Sequence, residues 1–347
     1  MLKVLFSCVN ISPYRNDFFN HLATLCDLTV CYEVENSEHT HRDKRWFEGL
    51  EVNYKRVKLD RKKAFIKFSK GDIIPLLKQG FDIVILGHYL SFTSRDALKY
   101  CKKNRIKIGV SADGAKAKKE KLLVSVIKKH LLKKVDFVLS PSKQTDGYFK
   151  KYKVSEDKIY RYNFTSLSKK DILPFEPREN KELKVLSVGQ FIPRKGFDML
   201  IRIAKNLEAK TVICGAEPTE EYLKLNGENG NKVEFLGFKT KEELKEIYKQ
   251  SDIFVLPTRE DNWGLVINEA MNYSLPIVTT KACVAGVELL DSEWVVDVDE
   301  QSIESAIKKL IASQSLREEV GRRNNLEIQS NTIESMAERV FEIIEKV

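Results

Sequence analysis

Short apolar runs of strand length alternate with amphipathic segments of helix length, and the rhythm occurs twice along this chain. In the first half, Leu2–Cys8, Leu28–Tyr32, Asp82–Leu86, Ile106–Val110 and Phe137–Ser140 read as strands. Asp17–Leu25, Arg95–Lys102 and Leu122–Leu132 read as helices among them. Strands that are apolar on both faces need cover on both sides, which predicts βαβ units and a parallel sheet between helical layers. The rhythm breaks over 163–184, where Pro174, Pro177 and several charges interrupt it. It restarts with strands at Lys184–Val188, Lys210–Cys214, Val233–Leu236, Ile253–Leu256, Ile277–Thr280 and Trp294–Val298. Helices are expected at Phe197–Leu207, Lys241–Lys249, Leu265–Tyr273 and Ile303–Ile311. The chain therefore reads as two doubly wound α/β domains, 1–165 and 184–331, joined by a linker over 166–183. Its 347 residues suit two domains. A last helix, 332–347, carries an apolar stripe that needs a partner surface and is a candidate to pack back on the first domain. In open sheets of this kind ligands bind beyond the carboxyl ends of the strands, so a cleft between two facing domains is the default site.

With 42% hydrophobic and 31% charged residues, the composition excludes collagen-like, low-complexity and disordered classes. Fifty-nine Lys and Arg against 50 Asp and Glu give a net charge of +9. That suits phosphorylated ligands, an anionic membrane or nucleic acid without choosing among them. No apolar run approaches the roughly 20 residues of a membrane span, and Met1–Cys8 reads as a first buried strand rather than a signal peptide. The six cysteines are scattered, with neither CxxC nor zinc spacing, and read as buried, reduced thiols; no metal site is expected.

The loop after the first strand, Ser7-Cys8-Val9-Asn10-Ile11-Ser12-Pro13-Tyr14, has no glycine. No GxxxxGK[ST] occurs anywhere, so nicotinamide, flavin and P-loop readings are poor. In the second domain, Val188-Gly189-Gln190-Phe191-Ile192-Pro193-Arg194-Lys195-Gly196-Phe197 follows a strand and opens a helix. Arg194 and Lys195 stand where helix amides already favour an anion, such as a diphosphate. Leu256-Pro257-Thr258-Arg259-Glu260-Asp261-Asn262-Trp263-Gly264-Leu265-Val266-Ile267-Asn268-Glu269-Ala270-Met271 is richer still. Its loop carries two acids suited to sugar hydroxyls. Gly264 opens a helix whose amides, around Trp263–Val266, suit an anion. Glu269, a turn in, can accept two hydrogen bonds from a vicinal diol such as ribose.

Here the sequence resembles the retaining nucleotide-sugar glycosyltransferases of family 4, the glycosyl transferases group 1, which have the GT-B fold of two Rossmann-like domains facing a central cleft. The signature is an acid, seven residues, then Glu, with an aromatic-Gly pair inside and Glu-Ala-Met at the end. Asp261-Asn262-Trp263-Gly264 through Glu269-Ala270-Met271 matches in register. Val185–Gly196, Val212–Pro218, Val233–Phe238 and Tyr273–Val278 continue the match, which covers roughly Lys184–Thr280. The resemblance implies that Lys195 binds the donor diphosphate and Glu269 the ribose. It puts Asp261 or Glu260 on the donor sugar, backbone amides of Gly264, Leu265 and Val266 on the phosphates, and Gly237 and Phe238 near the base. Two departures stand out: Asp261 occupies the register usual for Glu, with Glu260 one residue earlier, and Gln190 replaces the usual Arg, for which Arg194 is a substitute.

In the first domain the resemblance puts His88, after the third strand, towards the donor sugar. Asp113, in Ser111-Ala112-Asp113-Gly114, lies in a plausible cleft loop as a second catalytic candidate, and Arg15 stands where an acceptor would be met. Two basic, partly apolar stretches, Tyr54–Lys70 and Lys116–Lys134, read either as docks for anionic lipid or as sheet-packed helices with solvated lysines. No nucleic-acid module is visible. The expected activity is retaining transfer of a hexosyl group from a nucleotide-diphosphate sugar, UDP-sugar ahead of GDP-sugar, to a hydroxyl of a glycan or lipid-linked acceptor. No cofactor or metal is expected. The expected setting is bacterial cell-surface polysaccharide synthesis (lipopolysaccharide or capsule), in the cytoplasm or peripheral on the inner membrane face. The rival readings are a GT-B epimerase or phosphorylase, and a non-catalytic membrane-associated nucleotide-sugar-binding protein.

Overall fold

The computed structural model describes residues 1–33, 49–63, 69–117, 120–178, 180 and 182–347. They form two compact units, Met1–Thr165 with Ile333–Val347, and Ser166–Thr332.

The first unit contains strands β1 (Lys3–Cys8), β2 (Asp27–Tyr32), β3 (Lys55–Lys58), β4 (Arg61–Lys63), β5 (Ser69–Gly71), β6 (Ile83–Leu86), β7 (Lys107–Ser111), β8 (Phe137–Ser140) and β9 (Ile159–Arg161). Seven of them make one parallel sheet in the order β3-β2-β1-β6-β7-β8-β9, while β4 and β5 form a small antiparallel pair. The central strands are buried throughout, as continuous Val, Ile and Leu runs require. Helices Pro13–Leu25, Phe92–Asn104, Leu122–Leu132 and Lys143–Lys151 connect the main strands. Three of them start on local signals: Pro13 sits at the first turn of its helix, and the Ser91 and Ser142 hydroxyls accept from the amides of Ser94 and Thr145. The C-terminal helix Ile333–Lys346 packs along Pro13–Leu25, burying Ile333, Met336, Ala337, Val340, Ile343 and Ile344.

The second unit contains β10 (Lys184–Gly189), β11 (Lys210–Gly215), β12 (Val233–Phe235), β13 (Ile253–Leu256), β14 (Ile277–Thr280) and β15 (Val295–Val296). They form a parallel sheet in the order β12-β11-β10-β13-β14-β15. Both orders reverse direction once, at β1/β6 and at β10/β13. Loops leaving the carboxyl ends of such a pair diverge and leave a crevice.

Two expectations change. The strands Lys55–Lys58 and Ile159–Arg161 were not anticipated: both are sheet edges, and Lys-Arg-Val-Lys has three exposed residues and so no apolar signal. The segment 166–183, expected as a linker, is built into the second unit. The Leu173 amide donates to Asn272 Oδ1 (2.9 Å) and its carbonyl accepts from Asn325 (3.0 Å) and Gln329 (2.9 Å). The Arg178 guanidinium donates to the carbonyls of Tyr248, Lys249 and Tyr273. Proline broke the periodicity there without making the chain free. All six cysteines are free and buried.

Candidate functional site

The second unit's crevice is built by two loops, 190–196 after β10 and 257–264 after β13. Gly196 lets them touch. Its φ is +71°, and a Cβ there would lie 1.9 Å from the Pro257 carbonyl oxygen, so a side chain would push the loops apart. The Arg194 carbonyl then accepts from the Arg259 amide (2.7 Å), the Thr258 hydroxyl (2.8 Å) and the Glu260 amide (3.3 Å). Arg259 in turn grips Asp198 with two nitrogens, at 2.6 and 2.7 Å. This stitching brings Lys195 Nζ to 2.5 Å from Asp261 Oδ2 and Arg194 Nη1 to 3.9 Å from Asp261 Oδ1. Lys195 and Asp261 are nearly enclosed, their side chains 11% and 12% exposed, whereas Arg194 is 46% exposed. The candidate diphosphate cations and the candidate first acid thus converge from positions 66 residues apart. Glu260 is exposed, and its carbonyl accepts from Arg194 Nη1 at 3.2 Å.

The helix Leu265–Asn272 begins beside this cluster. Gly264, at φ +99°, caps it, and a Cβ there would sit 2.8 Å from Cys283 Sγ. Leu265 and Val266 are half-buried and Asn262 is exposed at the helix entry. The Trp263 ring is buried, and its indole N–H donates to Asn268 Oδ1 (2.9 Å). Its side chain braces the loop from inside and only its backbone borders the crevice. Glu269 lies in the second turn. Its two oxygens accept from the Tyr248 hydroxyl (3.0 Å) and the Ser166 hydroxyl (3.3 Å). Burial pushes its carboxyl above the usual range, and the two hydroxyl donors only partly offset this. Tyr248, itself buried and stacked on Tyr273 with ring centroids 5.1 Å apart, has its hydroxyl held protonated by burial and by Glu269. Sequence reasoning missed Tyr248 and Ser166. Tyr248 looked like an ordinary core aromatic on its helix, and Ser166 lay in the supposed linker. Gly237 and Phe238 follow β12, and the Gly237 carbonyl accepts from the Gly215 amide at 2.9 Å.

In the first unit, two of the candidates engage each other. Arg15, buried on Pro13–Leu25, holds Asp113 with Nε at 3.2 Å and with Nη2, and the Tyr14 hydroxyl donates to the same carboxylate at 3.2 Å. Burial works against the guanidinium charge, but Asp113 outweighs it and raises the Arg15 pKa. Arg15 is therefore a wall of this site with its charge already matched, and Asp113, 34% exposed, is the member of the pair that faces outward. His88 is exposed at the carboxyl end of β6, and its backbone carbonyl accepts from Ser94 Oγ at 2.6 Å. Desolvation by the surrounding wall lowers its pKa below the ordinary value, with Glu33 opposing, so the ring is neutral at pH 7.

Among the described residues no helix is long and apolar enough to cross a membrane. The helix Leu122–Leu132 shows an outward face instead, with Leu122, Leu123 and Val126 80%, 72% and 53% exposed. Part of the other basic stretch, 64–68, and residues 118–119 lie outside the described residues.

Residues 168–326 match the model of the family Glycosyl transferases group 1. An uncharacterized glycosyltransferase of Methanocaldococcus jannaschii is 32% identical over 40% of this chain and 38% of its own length. The amylovoran biosynthesis glycosyltransferase AmsD of Erwinia amylovora is 29% identical over 40% of this chain and 41% of its own. The chain thus spans about two fifths of the length of these curated relatives. The structure of Anabaena HepE in complex with UDP superposes over 100% of both chains with a TM-score of 0.77, at 13% identity. The chain has the GT-B fold, and over 168–326 it is similar to the glycosyl transferases group 1.

Proposed function

We propose that this protein is a retaining glycosyltransferase that moves a hexosyl group from a nucleotide-diphosphate sugar, a UDP-sugar ahead of a GDP-sugar, to a hydroxyl of a glycan or lipid-linked acceptor. The observation that carries the reading is the meeting of Lys195 and Arg194 with Asp261 at the start of the helix Leu265–Asn272. As the glycosidic bond breaks, negative charge grows on the diphosphate. Two cations and oriented helix amides meet it. Glu269, held by Tyr248 and Ser166, binds the ribose diol, and Asp261 with Glu260 binds the sugar hydroxyls. Gly237 and Phe238 border the base. We assign His88, as a neutral hydrogen-bonding group, to the donor sugar, Asp113 to catalysis and its partner Arg15 to the acceptor. The UDP in the HepE structure supports the donor class, and a similar capsular polysaccharide biosynthesis glycosyltransferase of Staphylococcus aureus supports synthesis of a surface polysaccharide.

We further propose that the protein works on the cytoplasmic membrane face, with Leu122, Leu123 and Val126 entering an anionic bilayer. Lys121, Lys129 and Lys133 flank that apolar face, so its charge complements acidic headgroups. Calorimetric titration with UDP, GDP and ADP, beside Lys195→Ala and Glu269→Ala, tests the donor site. One nucleotide is expected to bind at micromolar affinity and each substitution to weaken it. A folded protein that binds none of them would remove the donor-site assignment. The identity of the product, read by NMR, separates transfer from epimerase or phosphorylase chemistry, and the anomeric configuration of the new bond separates retention from inversion.

A further inference from the structure

We infer that Asp261 makes this site discriminate between intact nucleotide-sugar and spent nucleoside diphosphate, by competing with the diphosphate for Lys195. The inference rests on the donor-site reading above. Without ligand, the Lys195 ammonium is already engaged at 2.5 Å by Asp261, and Arg194 reaches the other carboxylate oxygen at 3.9 Å. Both partners of the close pair are nearly enclosed, so water screens them little. The Asp261 backbone is anchored: its amide donates to the Ala282 carbonyl (3.0 Å), its carbonyl accepts from the Val284 amide (3.4 Å), and it bridges to Cys283. Only the side chain is left to turn when phosphate oxygens arrive at Lys195.

What the carboxylate finds after turning depends on the ligand. A nucleotide-sugar presents hydroxyls beside its diphosphate, which donate to the displaced Asp261 and replace the lost ammonium. A nucleoside diphosphate presents no hydroxyl there and carries a further negative charge at its terminal phosphate. Asp261 is then left without a donor and beside a like charge, and it reclaims Lys195. The pair thus holds the donor and helps to expel the product left after transfer.

The test is calorimetry with UDP, with GDP and ADP run in parallel, and with UDP-glucose, UDP-galactose and UDP-N-acetylglucosamine. It uses wild type, Asp261→Asn, Lys195→Ala and the double variant, all confirmed folded by thermal melting. Asp261→Ser replaces Asp261→Asn if the latter does not fold. Asp261→Asn is expected to bind the nucleoside diphosphate at least about tenfold more tightly than wild type, or ~1.4 kcal/mol. It is expected to bind the UDP-sugar no more tightly. On the Lys195→Ala background the same substitution is expected to give a clearly smaller gain in diphosphate affinity, because the competed ammonium is gone and only the like-charge repulsion is left to relieve. Unchanged or weaker diphosphate binding by Asp261→Asn overturns the inference while leaving the donor site in place. So does an equal gain for diphosphate and sugar donor, or an equal gain on the Lys195→Ala background. Absence of binding by wild type to every nucleotide overturns the donor reading and the inference together.

Discussion

Glu269 combines a polar task with an unfavourable setting. Its carboxyl is pushed above the usual value of 4.5 by burial. The folded state therefore binds its proton more readily than the unfolded chain does. This contribution favours folding below about pH 4.5 and is lost as pH rises through the folded-state value, so at neutral pH the ionised group weakens the fold. Glu269→Gln keeps an acceptor for Tyr248 and removes the charge. It is expected to raise the melting temperature at pH 7.5 by roughly 1–3 °C while lowering nucleotide affinity, and the gain should vanish near pH 4. Differential scanning calorimetry at both pH values checks this, and a melting temperature that falls at pH 7.5 would contradict it. Gly196 is the opposite case, a residue chosen for having nothing to add. Gly196→Ala places a Cβ against the Pro257 carbonyl at a positive φ. It is expected to destabilise the second unit by about 2 kcal/mol or more and to lower UDP affinity, as denaturant melts and calorimetry would show.

At the scale of elements, the helix Leu122–Leu132 has its charges and apolar groups sorted in an unusual way. Lys128 points inward, where its ammonium meets Glu120 at 2.7 Å and lies over the rings of Tyr148 and Tyr152 at 5.3 and 5.1 Å. Tyr152 also donates to Glu120 at 2.5 Å. A lysine thus fastens the inner face, together with Leu131 and Leu132, and Leu122, Leu123, Val124 and Val126 are left outside. If that face enters lipid, Leu122→Glu with Leu123→Glu should leave the melting temperature within about 2 °C. It should lower affinity for phosphatidylglycerol vesicles in co-sedimentation by about 100-fold or more, since each of the two buried Leu side chains contributes about 1.5–3 kcal/mol. Binding by wild type should also fall as salt rises from 0.1 to 0.5 M, an estimate of about a twofold shorter screening length. Equal sedimentation of wild type and double variant would remove the lipid assignment.

On the scale of the molecule, the two units are not two consecutive halves. The last helix, Ile333–Lys346, buries its apolar stripe in the first unit, after the chain has completed the second. Truncation after Thr332 is therefore expected to unfold or loosen residues 1–165 and to spare Ser166–Thr332. Burial of Ile333, Met336, Val340, Ile343 and Ile344 is worth on the order of 10 kcal/mol, at about 1.5–3 kcal/mol each. Hydrogen exchange resolved by peptide checks it, and uniform loss of protection across both units would contradict it. The sequence by itself determined the alternation of buried strands and helices, the start of the donor-side helix at Gly264, and the candidates Lys195, Asp261 and Glu269, because these follow from local periodicity, turn chemistry and spacing. It also placed the break between domains near residue 165, but it read 166–183 as free chain, since side-chain bonds from Asn325, Gln329 and Arg178 to distant backbone leave no local pattern. Only the tertiary structure decided that Arg15 is spent on Asp113, that Trp263 turns inward, that Tyr248 and Ser166 hold Glu269, and that Lys195 meets Asp261. Apart from the local Trp263–Asn268 bond, these contacts join segments distant in the chain, and periodicity along a chain carries no information about which distant segments meet.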